Sequence, residues 1–391
     1  MNRSLLHKEV QEFLEENYRK EVSKIVFKGS PFPGVSEQEL AVQLTGKKKA
    51  EKKLPTWFTT RNIIYPPTLN LEQTSSEKTA RYKASLMAGD TIVDVTGGFG
   101  IDSYFFSKEF KKVVHCELNE ELSEVAAHNF GVLEAKNIES YVGDGIEFLE
   151  NSSEKFDWIY IDPSRRDDAG GRVFQLSDCL PNVPEHLDLL LKKGDNILIK
   201  TSPLLDLKAG LRELKNVHAI HVIAVENDVK ELLWLINKEP VDQLKIKTVN
   251  FRKKGDQVYD REIGEENSVS LSKPLTYLYE PNAAIMKSGL FDALGCDFSL
   301  LKLHQNTHLY TSNQLIEFPG RCFEVIRSVP YKKKKLKSVI DFDKAHITTR
   351  NFPEPVASLR KQLKLKDGGD HYLFFTTGPE DEKVMLICIK V

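Results

Sequence analysis

Cysteine is scarce in this chain. Five residues, Cys116, Cys179, Cys296, Cys322 and Cys388, are scattered over 391 positions with no C-x-x-C pair. That spacing argues against a disulfide framework and against a structural zinc site, and suits buried thiols in a reducing compartment. Long apolar runs are missing too: none approaches the ~20 residues a membrane span needs. The first ten residues, Met1 to Val10, carry no apolar core of a secretory signal. A cytoplasmic protein with no membrane segment and no metal is the expectation. Hydrophobic residues make up 40% and charged residues 29%, so the chain can bury a sizeable core and hold two to four domains.

The small net charge of −2 hides an asymmetry. Residues 318–391 hold 15 Lys or Arg against 9 Asp or Glu, a balance of +6, which leaves −8 for the rest. A basic terminal module on an acidic body points to a polyanion partner for that module, or to a solvated surface.

The richest stretch is Thr91-Ile92-Val93-Asp94-Val95-Thr96-Gly97-Gly98-Phe99-Gly100-Ile101-Asp102. It reads as a buried strand, a glycine turn and a helix start. A second apolar strand, Lys112-Val113-Val114-His115-Cys116, ends in Glu117, 20 residues after Gly97. Together they outline a nucleotide-cofactor half-site, in which glycines admit the ligand and the acid accepts from ribose hydroxyls. A dinucleotide would need its pyrophosphate on the helix N-terminus and a third glycine beyond the turn. Here Ile101, Asp102 and Ser103 follow Gly100, and Asp102 would repel a pyrophosphate. S-adenosylmethionine carries a sulfonium and an ammonium, and an acidic turn suits it.

The run Asp94 to Gly100 resembles the first motif of class I S-adenosylmethionine-dependent methyltransferases, and Glu117 resembles their ribose-binding acid. Gly143-Asp144-Gly145 is similar to the loop whose acid faces the adenine amino group. Asp162-Pro163-Ser164-Arg165-Arg166 is similar to the fourth motif, at the reaction centre. The resemblance covers roughly residues 76–240. It implies that Asp94, Thr96, Gly97, Gly98, Gly100, Asp102, Glu117 and Asp144 bind the cofactor. It also implies that Asp162, Pro163, Ser164 and Arg165 form the catalytic loop. Amine-methylating relatives carry Pro and an aromatic where Ser164 and Arg165 stand, so the loop looks closer to the Asp-Pro-Pro-Arg loops of other RNA base methyltransferases. No cysteine lies in this loop, which disfavours thiolate attack on a pyrimidine ring unless a distant cysteine folds in. Direct in-line attack on the methyl remains, with Asp162 placed to orient or deprotonate the acceptor.

Around this core, residues 1–75 read as an N-terminal helical region. Within it, Ser36 and Glu39 form a capping box for a helix that stops near Gly46. Residues 76–240 alternate strands (91–95, 112–116, 138–142, 157–161, 195–200, 218–225) with helices (101–109, 119–130, 183–192), which predicts an α/β, Rossmann-like parallel sheet. A late strand around Trp234 closes it. Residues 241–317 read as a small α+β connecting domain with a hairpin turn at Lys253-Lys254-Gly255-Asp256. Residues 318–391 read as strands 321–329, 335–340, 345–350, 371–377 and 384–391 with a helix over 355–364. This module loosely resembles THUMP-type modules of RNA-modifying enzymes. Arg166 and Lys200, and the basic run Lys332, Lys333, Lys334 and Lys335, are candidate RNA phosphate contacts. Three readings stay open at this point: methylation of RNA (a tRNA or rRNA base), methylation of a protein or small molecule, and an RNA-binding scaffold without turnover.

Overall fold

The structure, a computed structural model, describes all residues except 28, 166–174, 241, 265–266 and 333–335. The chain divides into two compact units, residues 1–218 with 233–242, and residues 219–232 with 243–391. No helix among the described residues is long and apolar enough to cross a membrane.

The first unit opens on helices α1 (Lys8–Asn17), α2 (Val22–Val26), α3 (Glu37–Lys53), α4 (Pro55–Thr59), α5 (Thr68–Gln73) and α6 (Glu77–Ala84). The capping box is present: Ser36 Oγ accepts from the Glu39 amide at 3.2 Å and Glu39 accepts from the Ser36 amide at 2.8 Å. The expected stop at Gly46 is not there, and α3 runs on to Lys53. Gly46 is a packing residue, because a Cβ there would lie 2.4 Å from Tyr65 Cβ. Its absence lets the backbone at Tyr65 cross α3, where Gln43 donates to the Tyr65 carbonyl at 2.8 Å and accepts from its amide at 2.9 Å.

Next come β1 (Thr91–Asp94), α7 (Ile101–Phe106), β2 (Lys112–Glu117), α8 (Glu120–Val132), β3 (Ile138–Val142), α9 (Gly145–Asn151) and β4 (Phe156–Ile161). A ribbon of β5 (Ser164–Arg165) and β6 (Cys179–Leu180), then α10 (Val183–Lys193), β7 (Gly194–Thr201) and α11 (Leu207–Glu213) follow. Strands β3, β2, β1, β4 and β7 lie in that order, all parallel. Ile92, Val93, Val113, Ile159 and Ile197 are fully buried, as strands covered on both faces require. Chain order reverses between β1 and β4, and that reversal opens a crevice at their carboxyl ends. The N-terminal helices pack on the element after β1: Trp57, fully buried, meets Tyr104 edge-on at 4.8 Å and Phe99 at 6.5 Å. Helix α7 ends at Phe106, three residues short of the expected span.

In the second unit, β8 (Val217–Val225) pairs parallel with β10 (Leu244–Phe251) from Ala219 on, and β10 pairs antiparallel with β11 (Gln257–Ile263) across the predicted turn. Between β8 and β10 in the chain, β9 (Asp228–Asn237) gives its second half, from Leu233, to the first unit. The rest comprises β12 (Tyr277–Pro281), α12 (Ala283–Ser288), α13 (Phe291–Asp297), β13 (Leu301–Lys302), β14 (Tyr310–Ser312), β15 (Gly320–Pro330), β16 (His346–Thr349), α14 (Val356–Leu363), β17 (His371–Thr377) and β18 (Lys383–Lys390). Seven strands form one sheet, in the order β13-β14-β12-β15-β18-β17-β16. Strand β15 pairs with β12 on one edge and β18 on the other, so the ladder continues across Pro319-Gly320. Gly320 is required there, since a Cβ would sit 2.1 Å from the Glu280 carbonyl oxygen.

The expected strand at 335–340 is a 3-10 turn, Leu336–Val339. Leu336, Val339 and Ile340 pack into one core cluster with Leu359, Leu373 and Phe375. Apolar residues three and four apart place themselves on one side of a helical turn, whereas a strand would alternate them.

Candidate active site at the carboxyl ends of β1, β2, β3 and β4

The glycine turn after β1 is built from close approaches. The Gly97 amide donates to the Cys116 carbonyl at 2.7 Å, and the Gly100 amide to the Gly97 carbonyl at 2.9 Å. Gly98 and Gly100 have φ of +57° and +81°, the left-handed region that glycine enters without strain. A Cβ on Gly97 would lie 2.3 Å from His115 Nε2, and one on Gly100 would lie 2.3 Å from Phe130 Cζ. His115 is fully buried, and burial pushes its pKa down to about 4, so it supports the turn as a neutral ring. Beside Gly98 the space is open, the nearest atom to a built Cβ being the Thr96 carbonyl oxygen at 3.9 Å.

Acids stand at or just past the ends of β1, β2 and β3. Glu117 accepts from the Gly98 amide and from the Asn119 amide, each at 2.8 Å, through different carboxylate oxygens. Each oxygen keeps a further lone pair for a hydroxyl. Asp144 caps α9, its Oδ1 accepting from the Ile146 amide at 2.7 Å. Gly145 beside it lets α9 approach β1, since a Cβ would lie 2.3 Å from the Val95 carbonyl oxygen. Asp94 is 1% exposed and accepts from Ser103 Oγ at 2.6 Å and from the Thr96 amide at 3.0 Å. Burial is the largest influence on its carboxyl, with the Asp102 and Asp162 charges adding and its two hydrogen bonds opposing. The pKa is pushed up to about 7.

Asp102 does not face this opening as expected. Its carboxylate is buried and accepts from Ser75 Oγ at 2.8 Å and Tyr160 Oη at 2.9 Å. The fully buried Lys83 ammonium lies 3.2 Å away and also donates to Ser75 at 2.8 Å. One helical position turns Asp102 inward, where it ties α6 and β4 to the first turn of α7. The glycine-turn signature contains nothing of Lys83, which comes from a helix 19 residues upstream of Asp102.

Asp162 begins the loop after β4. Its amide donates to Thr96 Oγ1 at 2.7 Å, which clamps this loop to the glycine turn through a side chain. Its carboxylate forms an ion pair with Lys200, near the end of the adjacent strand β7. Lys200 is brought to Asp162 because β4 and β7 pair in parallel with Ile161 opposite Ile199. Pro163 is half-buried; Ser164 is exposed, with Oγ 3.4 Å from the Leu180 carbonyl. Arg165 stands opposite Cys179 in the ribbon, so a distant cysteine does fold next to the loop. The Cys179 thiol lies 3.7 Å from the Gln175 carbonyl. Lys332 is exposed just beyond β15. Arg166, Lys333, Lys334 and Lys335 lie outside the described residues. Leu118, directly after Glu117, is 72% exposed.

The donor set fits S-adenosylmethionine. Carboxylates of Asp94, Glu117 and Asp144 stand at or just past the ends of three adjacent strands, around glycines that leave one side of the turn open.

Over its whole length the chain is similar to a protein from Porphyromonas gingivalis W83 provisionally named a methyltransferase. The two share 31% identity over 97% of each chain, with a TM-score of 0.89. The profile of a ferredoxin-like domain matches residues 277–319, and that of a THUMP-like domain matches residues 320–390. More distant likenesses include an rRNA methylase from Streptococcus thermophilus (15% identity, 41% of this chain and 95% of that one, TM-score 0.30). Another is M. capricolum TrmK in complex with its cofactor product S-adenosylhomocysteine (18% identity, 41% and 68%, TM-score 0.31). No curated protein sequence matches this chain. The fold is that of the class I methyltransferases. The chain belongs to the family of the P. gingivalis protein; in this chain a ferredoxin-like and a THUMP-like segment follow the sheet.

Proposed function

We propose that this protein is an S-adenosylmethionine-dependent methyltransferase that acts on an RNA base, in the cytoplasm, by direct in-line transfer. The observation that carries the cofactor assignment is the set of acids Asp94, Glu117 and Asp144 at the ends of three adjacent strands, with Glu117 bonded to the Gly98 amide of the glycine turn. When bound, S-adenosylmethionine supplies an activated methyl group on a sulfonium. In this reading Glu117 accepts from the ribose hydroxyls, Asp144 from the adenine amino group, and exposed Leu118 covers the adenine face. Asp94 holds the ammonium, and the Gly98 amide is already fixed by Glu117. Asp102 supports the turn from behind. The THUMP-like segment and the +6 balance of residues 318–391 support RNA as the substrate. We assign residues 318–391 to substrate capture.

Calorimetry with S-adenosylhomocysteine tests the cofactor reading. Glu117→Ala is expected to weaken binding by about 1–3 kcal/mol, the range for leaving polar partners unmet. Tighter binding of NAD than of S-adenosylhomocysteine would sink the assignment.

The pH dependence of the same titration follows from Asp94. Its carboxyl is protonated in the free protein below about 7 and must ionise to hold a cation. Affinity is therefore lost as pH falls through 7, by roughly tenfold between pH 7 and 5.5. Below pH 7 binding releases a proton, visible as a dependence of the measured heat on the buffer. Asp94→Asn should bind more weakly at neutral pH and lose both dependences. A flat profile in the unmodified protein would remove Asp94 from the ammonium site.

A further inference from the structure

We infer that the paired Asp162 and Lys200 select an acceptor that gives up a proton as it is methylated, an imide-type ring N–H or a ribose hydroxyl of RNA, and not an exocyclic base amine. This rests on the RNA methyltransferase reading above.

The two side chains come from adjacent parallel strands, each one position beyond the facing pair Ile161 and Ile199. The Asp162 side chain is 32% exposed and that of Lys200 14%, so the ion pair is set into the crevice with an open edge. The Thr96 hydroxyl, holding the Asp162 amide, fixes this edge beside the glycine turn where the cofactor reading puts the methyl donor. A carboxylate alone at that place would suit a neutral amine, whose nitrogen becomes positive during transfer. An ammonium beside the carboxylate opposes positive charge there and favours an oxygen that becomes negative. An imide nitrogen, flanked by carbonyl oxygens, and a hydroxyl both develop that charge when the proton leaves. In the transfer the acceptor's proton passes to the Asp162 carboxylate. The electron pair left behind bonds the methyl carbon, and the carbon–sulfur pair stays with sulfur as a neutral thioether. Asp162 then returns the proton to water, and Lys200 donates throughout to the acceptor's oxygen.

The test uses the full chain, S-adenosylmethionine with a deuterated methyl group, total cellular RNA and, separately, a soluble protein extract. Products are digested and their methylated atoms assigned by mass spectrometry. Label on a ring imide nitrogen or on a ribose 2′-oxygen supports the inference, and the two positions tell the acceptors apart. Label on the amino nitrogen of cytosine, adenine or guanine overturns it and leaves the RNA reading standing. Label on a pyrimidine C5 also overturns it, in favour of thiolate attack by Cys179. Label in protein alone, or in neither extract, overturns the RNA reading and the inference with it.

Variants supply a second readout. Lys200→Met should bind S-adenosylhomocysteine within about twofold of the unmodified protein. It should lose roughly 10²–10³-fold in rate at pH 7 and regain most of it as pH rises, because the acceptor then ionises unaided. Lys200→Arg should keep part of the rate. A loss of S-adenosylhomocysteine affinity in Lys200→Met as large as in Glu117→Ala would assign the pair to the cofactor and overturn the inference.

Discussion

Asp162→Ala is expected to lower turnover by roughly 10²–10⁴-fold, the range for a positioned acid–base group, while S-adenosylhomocysteine affinity stays within about threefold. The structure makes so clean a split possible. The clamp between the Asp162 loop and the glycine turn uses the Asp162 backbone amide and the Thr96 hydroxyl, so truncating the side chain leaves it intact. The Asp162 side chain is 32% exposed, so solvent reaches its edge of the ion pair and moderates the stability lost with it. The variant should thus fold, bind the cofactor product and fail at the chemical step. Single-turnover methylation and calorimetry on one preparation check this. Equal losses in both would make Asp162 a cofactor or folding residue.

Much of this site is local in the chain and was legible there. Asp94, the glycines and Glu117 sit at strand ends that apolar runs mark, and a strand's end tells which edge of a parallel sheet it faces. The capping box at Ser36 and Glu39 is a four-residue pattern, complete in itself. The missed features depend on which elements become neighbours. Lys200 is 38 residues from Asp162 and meets it only because β7 lies beside β4. Cys179 reaches Arg165 through a ribbon that no periodicity announces. Asp102 looks like part of the glycine turn in sequence, yet the buried Lys83 and Tyr160 claim it. Gly46 reads as a stop signal in isolation, and only the crossing of Tyr65 shows it to be a contact. Glycine and charge carry several physical meanings, and packing chooses among them.

Replacing Lys332, Lys333, Lys334 and Lys335 together with Gln is expected to lower the affinity for RNA by roughly 10–100-fold at moderate salt. The slope of log affinity against log salt should flatten by about 3, close to 0.7 for each single-strand phosphate no longer neutralised. Substitution is the right probe because excision is not. Removing residues 318–391 would take out β15, which pairs with β12 on one side and β18 on the other, and would expose the sheet they share. Part of the module's positive charge is already committed: Arg321 and Arg350 hold the buried Glu280, and Arg360 pairs with Asp367 at 2.7 Å. Counterion release must then come from other basic residues, and the run Lys332 to Lys335 is the densest in the sequence. Single exposed charges such as that of Lys332 contribute little to stability, and the melting temperature of the variant, measured alongside, separates lost RNA affinity from lost folding. The variant's affinity for S-adenosylhomocysteine should be unchanged, since Asp94, Glu117 and Asp144 belong to the other compact unit. An unaltered affinity and salt slope for RNA would free the basic run from substrate capture and move the case toward a protein or small-molecule acceptor.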